Sequence, residues 1–213
     1  MINVILFDLD GVLINSARDI REAINYSLST LGFPVKTVEE VAPTYSMHVY
    51  DRFSLWIGDE ENRLKAVELY KEHYLKVLSK QTELYDGVKE VVSELHSTKK
   101  LGIISNKHSA IVSEILRVHN LLEYFDIIIG GNTVTSHKPH PMGILMALEK
   151  CGFLPSEAMM IGDTNTDILA GKSAKTHTCG AAYGLGNVDL LKASAPDYLI
   201  DDIRDLIAVC KNA

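Results

Sequence analysis

Met1-Ile2-Asn3-Val4-Ile5-Leu6-Phe7-Asp8-Leu9-Asp10-Gly11 is an apolar run that breaks into Asp-x-Asp-Gly. The run is short and rich in Val, Ile, Leu and Phe, the pattern of a strand buried on both faces, as in a parallel sheet. Asp8 and Asp10 would lie on opposite faces if the strand continued. Gly11 marks a turn, and a turn can bring both acids to one mouth. In open α/β sheets that mouth, at the carboxyl ends of the strands, is where ligands bind. Asp and Gly are also ordinary turn residues, so the tetrad alone is weak. A calcium loop starting at Asp8 fails, because Leu13 stands where its glycine belongs and Asp19 where its bidentate Glu belongs.

Three later segments add to it. Leu101-Gly102-Ile103-Ile104-Ser105-Asn106-Lys107 is a second apolar run, ending in a hydroxyl, an amide and a cation. His137-Lys138-Pro139-His140-Pro141 places a lysine before a proline-opened helix. Ala158-Met159-Met160-Ile161-Gly162-Asp163-Thr164-Asn165-Thr166-Asp167 is a strand running into Gly-Asp-x-x-x-Asp. A calcium loop at Asp163 fails too, with Ile168 at the glycine position and Ala174 at the Glu position.

The 213 residues allow one domain plus an insertion. A net charge of -7 argues against nucleic-acid binding, and an anionic substrate would need local cations or a metal. Cys151, Cys179 and Cys210 form no CxxC pair, which suggests a reducing compartment. No apolar stretch reaches the length of a membrane span, and the amino terminus reads as a strand and not a signal peptide. A cytoplasmic protein without nucleic-acid or membrane partners is expected. The eight histidines show no HExxH spacing, so zinc is not expected. Oligomeric state has no signature here.

After Gly11 the pattern turns helical. Ile20, Ala23, Ile24, Leu28 and Leu31 recur at helix spacing, and Thr37-Val38-Glu39-Glu40 reads as a capping box. Further helices are expected from near Met47 to Ile57 and from Asp59 to Leu78, with Leu64, Val67, Tyr70, Tyr74 and Leu78 on one stripe. No convincing strand occurs between Val12 and Leu84. From Asp86 helices and strands alternate, with strands expected at 101–104, 127–129, 159–161, 176–181 and 198–200. The whole predicts an α/β fold: a Rossmann-like, mainly parallel sheet with a helical insertion.

The order and spacing of the four segments resemble those of haloacid dehalogenase superfamily phosphatases, over Asp8 to Asp167. The resemblance implies a core of residues 1–14 plus 85–213 and an inserted all-helical cap, of the C1 type, at 15–84. It implies a magnesium-dependent phosphatase that cleaves a small phosphate monoester through an aspartyl-phosphate. Asp8 matches the nucleophile, Asp10 the general acid and base, and Lys138 the cation that pairs with Asp8 and the phosphate. Asp8 and Asp163 match the metal's side-chain ligands, Asp10 its backbone-carbonyl ligand, and Asp167 the outer-shell acid. Ser105, with backbone N–H groups of Asn106 and of Leu9 or Gly11, matches the phosphate donors. Lys107, Tyr183-Gly184-Leu185-Gly186-Asn187 and Pro196-Asp197-Tyr198-Leu199-Ile200 resemble the phosphoglycolate-phosphatase-like branch. Two departures stand out: Asn15 where Asp is usual, and Ala42-Pro43-Thr44-Tyr45-Ser46 where that branch carries a Gly-containing substrate loop. Tyr45 and His48 flank that loop and are the cap residues expected to set specificity; Arg18, Arg21 and Arg52 are further candidates. A β-phosphoglucomutase-like phosphomutase shares all four segments and is the alternative, with a non-catalytic binding module behind it.

Overall fold

The computed structural model describes residues 1–77 and 81–212. The chain opens with β1 (Val4–Phe7) and a two-residue strand, β2 (Ile14–Asn15). Four helices follow: α1 (Ala17–Thr30), α2 (Val38–Val41), α3 (Val49–Ser54) and α4 (Glu60–Val77). A second two-residue strand, β3 (Glu83–Leu84), leads into α5 (Val88–His96), β4 (Lys100–Ile104), α6 (Ser109–Val118) and β5 (Ile127–Ile129). Then come α7 (Met142–Cys151), β6 (Ala158–Gly162), α8 (Asn165–Ala174), β7 (His177–Ala181), α9 (Val188–Ala193), β8 (Tyr198–Ile200) and α10 (Asp205–Asn212).

Six strands form one sheet in the order β5-β4-β1-β6-β7-β8, and every neighbouring pair is parallel. From β1 the chain fills one side through β4 and β5, then returns to fill the other from β6. The strand order therefore reverses beside β1, which opens a crevice at its carboxyl end.

All four residues of β1 are buried, as a strand covered on both faces requires. Val4 and Leu6 pack with Ile104, Ile144, Met160 and Ala170 beneath α7 and α8. Ile5 and Phe7 pack with Val92, Ile103, Val112 and Leu206 beneath α5, α6 and α10. Each fully buried side chain of this size contributes about 1.5–3 kcal/mol before entropy is counted. The second cluster also takes in Ile24, Leu28, Phe53, Tyr70 and Tyr74, so the apolar interior of α1, α3 and α4 is continuous with that of the sheet.

β2 and β3 pair antiparallel and carry the chain into and out of the helical segment. This corrects the expectation of no strand between Val12 and Leu84; two residues are too few for any periodicity to register. The expected stripe on α4 holds at Val67, Tyr70 and Tyr74, whereas Leu64 is half exposed and Ala66 takes the inward place. Leu78 lies outside the described residues. The capping box of α2 is present, with Thr37 N–H donating to Glu40 Oε2 at 2.9 Å. The helix expected from Met47 to Ile57 shrinks to α3, and Pro141 caps α7 rather than entering its first turn. Helix α9 was not expected; Asn187 caps it by accepting from Asp189 and Leu190 N–H. All three cysteines are free, and among the described residues no helix is long and apolar enough to cross a membrane.

Candidate active site

Asp8 follows β1, Ser105 follows β4 and Asp163 follows β6, so three adjacent strands deliver three functional groups to one crevice. Lys138, from the loop between β5 and α7, reaches into it. Its Nζ donates to Asp167 Oδ1 at 2.6 Å and to Ile104 O at 2.9 Å, and lies 3.0 Å from Asp8 Oδ1. Burial works against the Lys138 charge, but the carboxylates of Asp167 and Asp8 more than offset this and hold its pKa well above the ordinary value.

The carboxylates differ in what they leave free. Asp8 Oδ1 accepts from Leu9 N–H at 2.7 Å and faces Lys138, and Oδ2 has no hydrogen-bond partner among the described residues. Asp163 Oδ2 accepts from Leu185 and Gly186 N–H at 2.8 and 2.9 Å, and its Oδ1 is likewise free. Both Asp167 oxygens are taken, one by Lys138 and the other by the Thr164 N–H and hydroxyl. Oxygens of these three acids lie within 4.8 Å of one another. Burial, with Asp167 and Asp10 nearby and Lys138 opposing, pushes Asp8 up to about 7; burial, Asp167 and Asp8 push Asp163 well up. Three buried acids against one lysine lack a positive charge. A hard, oxygen-seeking dication fits that donor set, held by Asp8 and Asp163, with Asp167 as the orienting group behind them.

Asp10 is built differently. Its Oδ1 accepts from the Ser16 hydroxyl and from Lys107 Nζ at 2.7 Å, and its Oδ2 is free among the described residues. Ser16 sits at the N-cap of α1 yet makes no side-chain cap bond; its hydroxyl is turned to Asp10 instead. A missing cap of this kind costs the helix about 1 kcal/mol.

The expected phosphate donors differ in what they already bond. Ser105 is buried, its oxygen accepts from Lys107 N–H at 3.2 Å, and its hydroxyl proton has no acceptor among the described residues. The same holds for Asn106 N–H. The Asn106 side chain bridges, accepting from Lys138 N–H at 3.3 Å and donating to Ser46 O at 2.9 Å. Gly11 N–H, expected as a phosphate donor, donates here to Ile14 O at 2.8 Å. Gly11 also makes room. Its φ is +83°, and a Cβ there would stand 1.9 Å from Asp163 Oδ2. Gly11→Ala is therefore expected to displace Asp163 and abolish metal activation, which a magnesium titration of phosphate release checks. Leu9 N–H, the other expected donor, turns back to Asp8 Oδ1 at 2.7 Å.

Above these groups α1, α3, α4 and the 45–48 turn roof a cavity. Tyr45 and His48 both line it, as does Arg52. Arg18 and Arg21 line a separate outer groove with Tyr26 and His73. Arg52 Nε and Nη2 bond the carbonyls of Thr44, Tyr45 and Met47, and its Nη1 has no partner among the described residues. Lys71 of α4, which no sequence pattern singles out, also lines the cavity and has no acidic partner among the described residues. His48 stacks on His137 with ring centroids 4.1 Å apart and planes 12° apart. Burial, with His137 beside it, pushes His48 down to about 4, so it is neutral at pH 7. Asp51 lies close by, but near-parallel rings cannot aim their in-plane lone pairs at one ion, so this trio is no zinc site.

The haloacid dehalogenase-like hydrolase model matches residues 5–181, which includes every group above except the 183–187 loop. The chain belongs to the haloacid dehalogenase-like hydrolase family. It is 35% identical to a phosphoglycolate phosphatase of Aquifex aeolicus, over 98% of this chain and 97% of that one. It is 32% identical to a phosphoglycolate phosphatase of Vibrio parahaemolyticus, over 98% and 96%. A crystal structure titled as a predicted phosphoglycolate phosphatase from Haemophilus somnus superposes with a TM-score of 0.89 at 26% identity, covering 98% of both chains.

Proposed function

We propose that this hydrolase is a magnesium-dependent phosphatase acting on a small phosphate monoester that bears a carboxylate, phosphoglycolate being the substrate its relatives' names offer. The observation that carries the phosphatase reading is a pair of free carboxylate oxygens, Asp8 Oδ2 and Asp10 Oδ2, in one crevice with Lys138 and the Ser105 hydroxyl. Asp8 Oδ2 attacks phosphorus in line while the ester oxygen leaves, and Asp10, protonated on Oδ2, gives that oxygen its proton. The aspartyl-phosphate then meets water, from which Asp10 takes a proton as the phosphate departs. Lys138 and Ser105 stabilise the charge on the transferred group. Asp8, Asp163 and the Asp10 carbonyl would hold magnesium, which would supply positive charge to offset the repulsion of nucleophile and phosphate.

We assign residues 15–84 as the cap over a core of 1–14 and 85–213. The three free cysteines support a reducing, cytoplasmic setting. A screen of phosphate release over phosphorylated metabolites with magnesium tests the activity; no release from any monoester would sink it.

The carboxylate half of the reading rests on Arg52 and Lys71. Both face the cavity without an acidic partner among the described residues, and Arg52 is only 4% exposed. A buried unpaired cation is costly, and a substrate anion relieves that cost. Lys71→Met is expected to lower kcat/KM for phosphoglycolate by about tenfold or more, the worth of a charged hydrogen bond, and to spare p-nitrophenyl phosphate. Equal losses on both substrates would remove Lys71 from substrate recognition.

A further inference from the structure

Asp10 is held from the helical insertion as well as from the core. Lys107 Nζ, 2.7 Å from Asp10 Oδ1, is also 2.9 Å from the hydroxyl of Tyr74, and lies 4.5 Å from that ring's centroid. Tyr74 is on α4 and is wholly buried. Ser16 directly follows β2 and Thr82 directly precedes β3, so each crossing of the chain carries a hydroxyl that serves a carboxylate. Ser16 donates in turn to Asp10, and Thr82 donates to Asp19 Oδ2 at 2.6 Å. Asp19 is fully buried and its other oxygen has no partner among the described residues.

Packing alone does not explain this hydroxyl. A Phe would fill the same aromatic cluster with Phe53 and Tyr70, and would bury no polar atom. The hydroxyl stays protonated, since burial, with Asp10 and Asp19 near, pushes its pKa well up. It fixes one direction of an ammonium that otherwise swings on four methylenes.

We propose that Tyr74 is a positioning residue for Asp10, acting through Lys107, so that the acid–base carboxylate is aligned only while α4 is seated on the core. The inference rests on the reading of Asp10 as proton donor. As the ester bond breaks, Asp10 Oδ2 must deliver its proton to the departing oxygen. An alkoxide needs that proton, whereas p-nitrophenolate leaves without it. A misaligned Asp10 therefore slows one class of ester and spares the other.

The test is single-turnover release of the leaving group, with magnesium-loaded enzyme in excess, for wild type and Tyr74→Phe. One substrate is p-nitrophenyl phosphate and the other phosphoglycolate. The variant is expected to release p-nitrophenolate within about twofold of the wild-type rate and glycolate about tenfold more slowly. A normal p-nitrophenolate rate also certifies the fold. Equal slowing of both, or of neither, overturns the proposal, because a loosened cap or a passive hydroxyl gives no leaving-group split. Should Tyr74→Phe not fold, Lys107→Met, which removes the ammonium that Tyr74 directs and leaves the Tyr74 ring in place, is read against the same two outcomes. Wild type that releases neither leaving group would overturn the phosphatase reading, and this inference with it.

Discussion

Asp8→Asn is expected to reduce phosphate release to background, a loss on the order of 10³-fold or more. The amide oxygen can still accept from Leu9 N–H and face Lys138, so the geometry at that atom survives. The other atom becomes an amide nitrogen and cannot attack phosphorus. The variant also loses one of three buried acids that a single lysine opposes, so its fold is expected to be at least as stable as wild type without metal. Phosphate release at saturating magnesium, beside a circular dichroism melt, checks both halves. A variant that keeps more than about a hundredth of wild-type turnover, against the loss expected for a nucleophile, would take Asp8 out of that role.

The fold was legible because its information is local and periodic. The strands β1, β4 and β6 are apolar runs stopped by a polar residue at the carboxyl end, and the strands at Ile127–Ile129 and Tyr198–Ile200 fall where the pattern placed them. The same stops mark the crevice, which is why Asp8, Ser105 and Asp163 could be named from sequence. What could not be read depends on distance in the chain. Lys107 meets Asp10 across 97 residues, and Tyr74 meets Lys107 across 33. The N–H groups that hold Asp163 come from 22 and 23 residues on, at Leu185 and Gly186. Backbone donors have no residue identity, so no pattern announces them. Gly11 meets the same limit: a glycine at such a turn serves equally as donor or as clearance, and the clearance shows only once Asp163 is placed beside it. Lys71 looked like any lysine on a charged helix until α4 was seated over the cavity.

Asp163→Asn separates metal binding from the fold with opposite signs. Without a dication, the cluster of Asp8, Asp163 and Asp167 holds more negative charge than Lys138 can balance. Burial, with the neighbouring acids, raises Asp8 from its ordinary 3.8 to about 7 and Asp163 well above 3.8. A carboxyl whose pKa is raised on folding binds more protons in the native than in the unfolded state between those two values. Stability then falls as pH rises through that window. Metal-free wild type is thus expected to melt lower at pH 8 than at pH 5. Magnesium at a hundred times its Kd adds about 2.7 kcal/mol, a rise in Tm of about 5–10 °C for a chain of this size. Asparagine at 163 can still accept from Leu185 and Gly186 N–H, but it withdraws one charge from the cluster. The variant is expected to melt higher than wild type in EDTA at pH 8, to lose most of the pH slope and to gain little from magnesium. Its turnover should collapse, because Asp8 then meets the phosphate dianion with only Lys138 to offset the repulsion. Melting curves at pH 5 and pH 8, each with EDTA and with magnesium, give the four numbers needed. If magnesium lifts variant and wild type alike, or if metal-free wild type is as stable at pH 8 as at pH 5, the cation is not held by these acids.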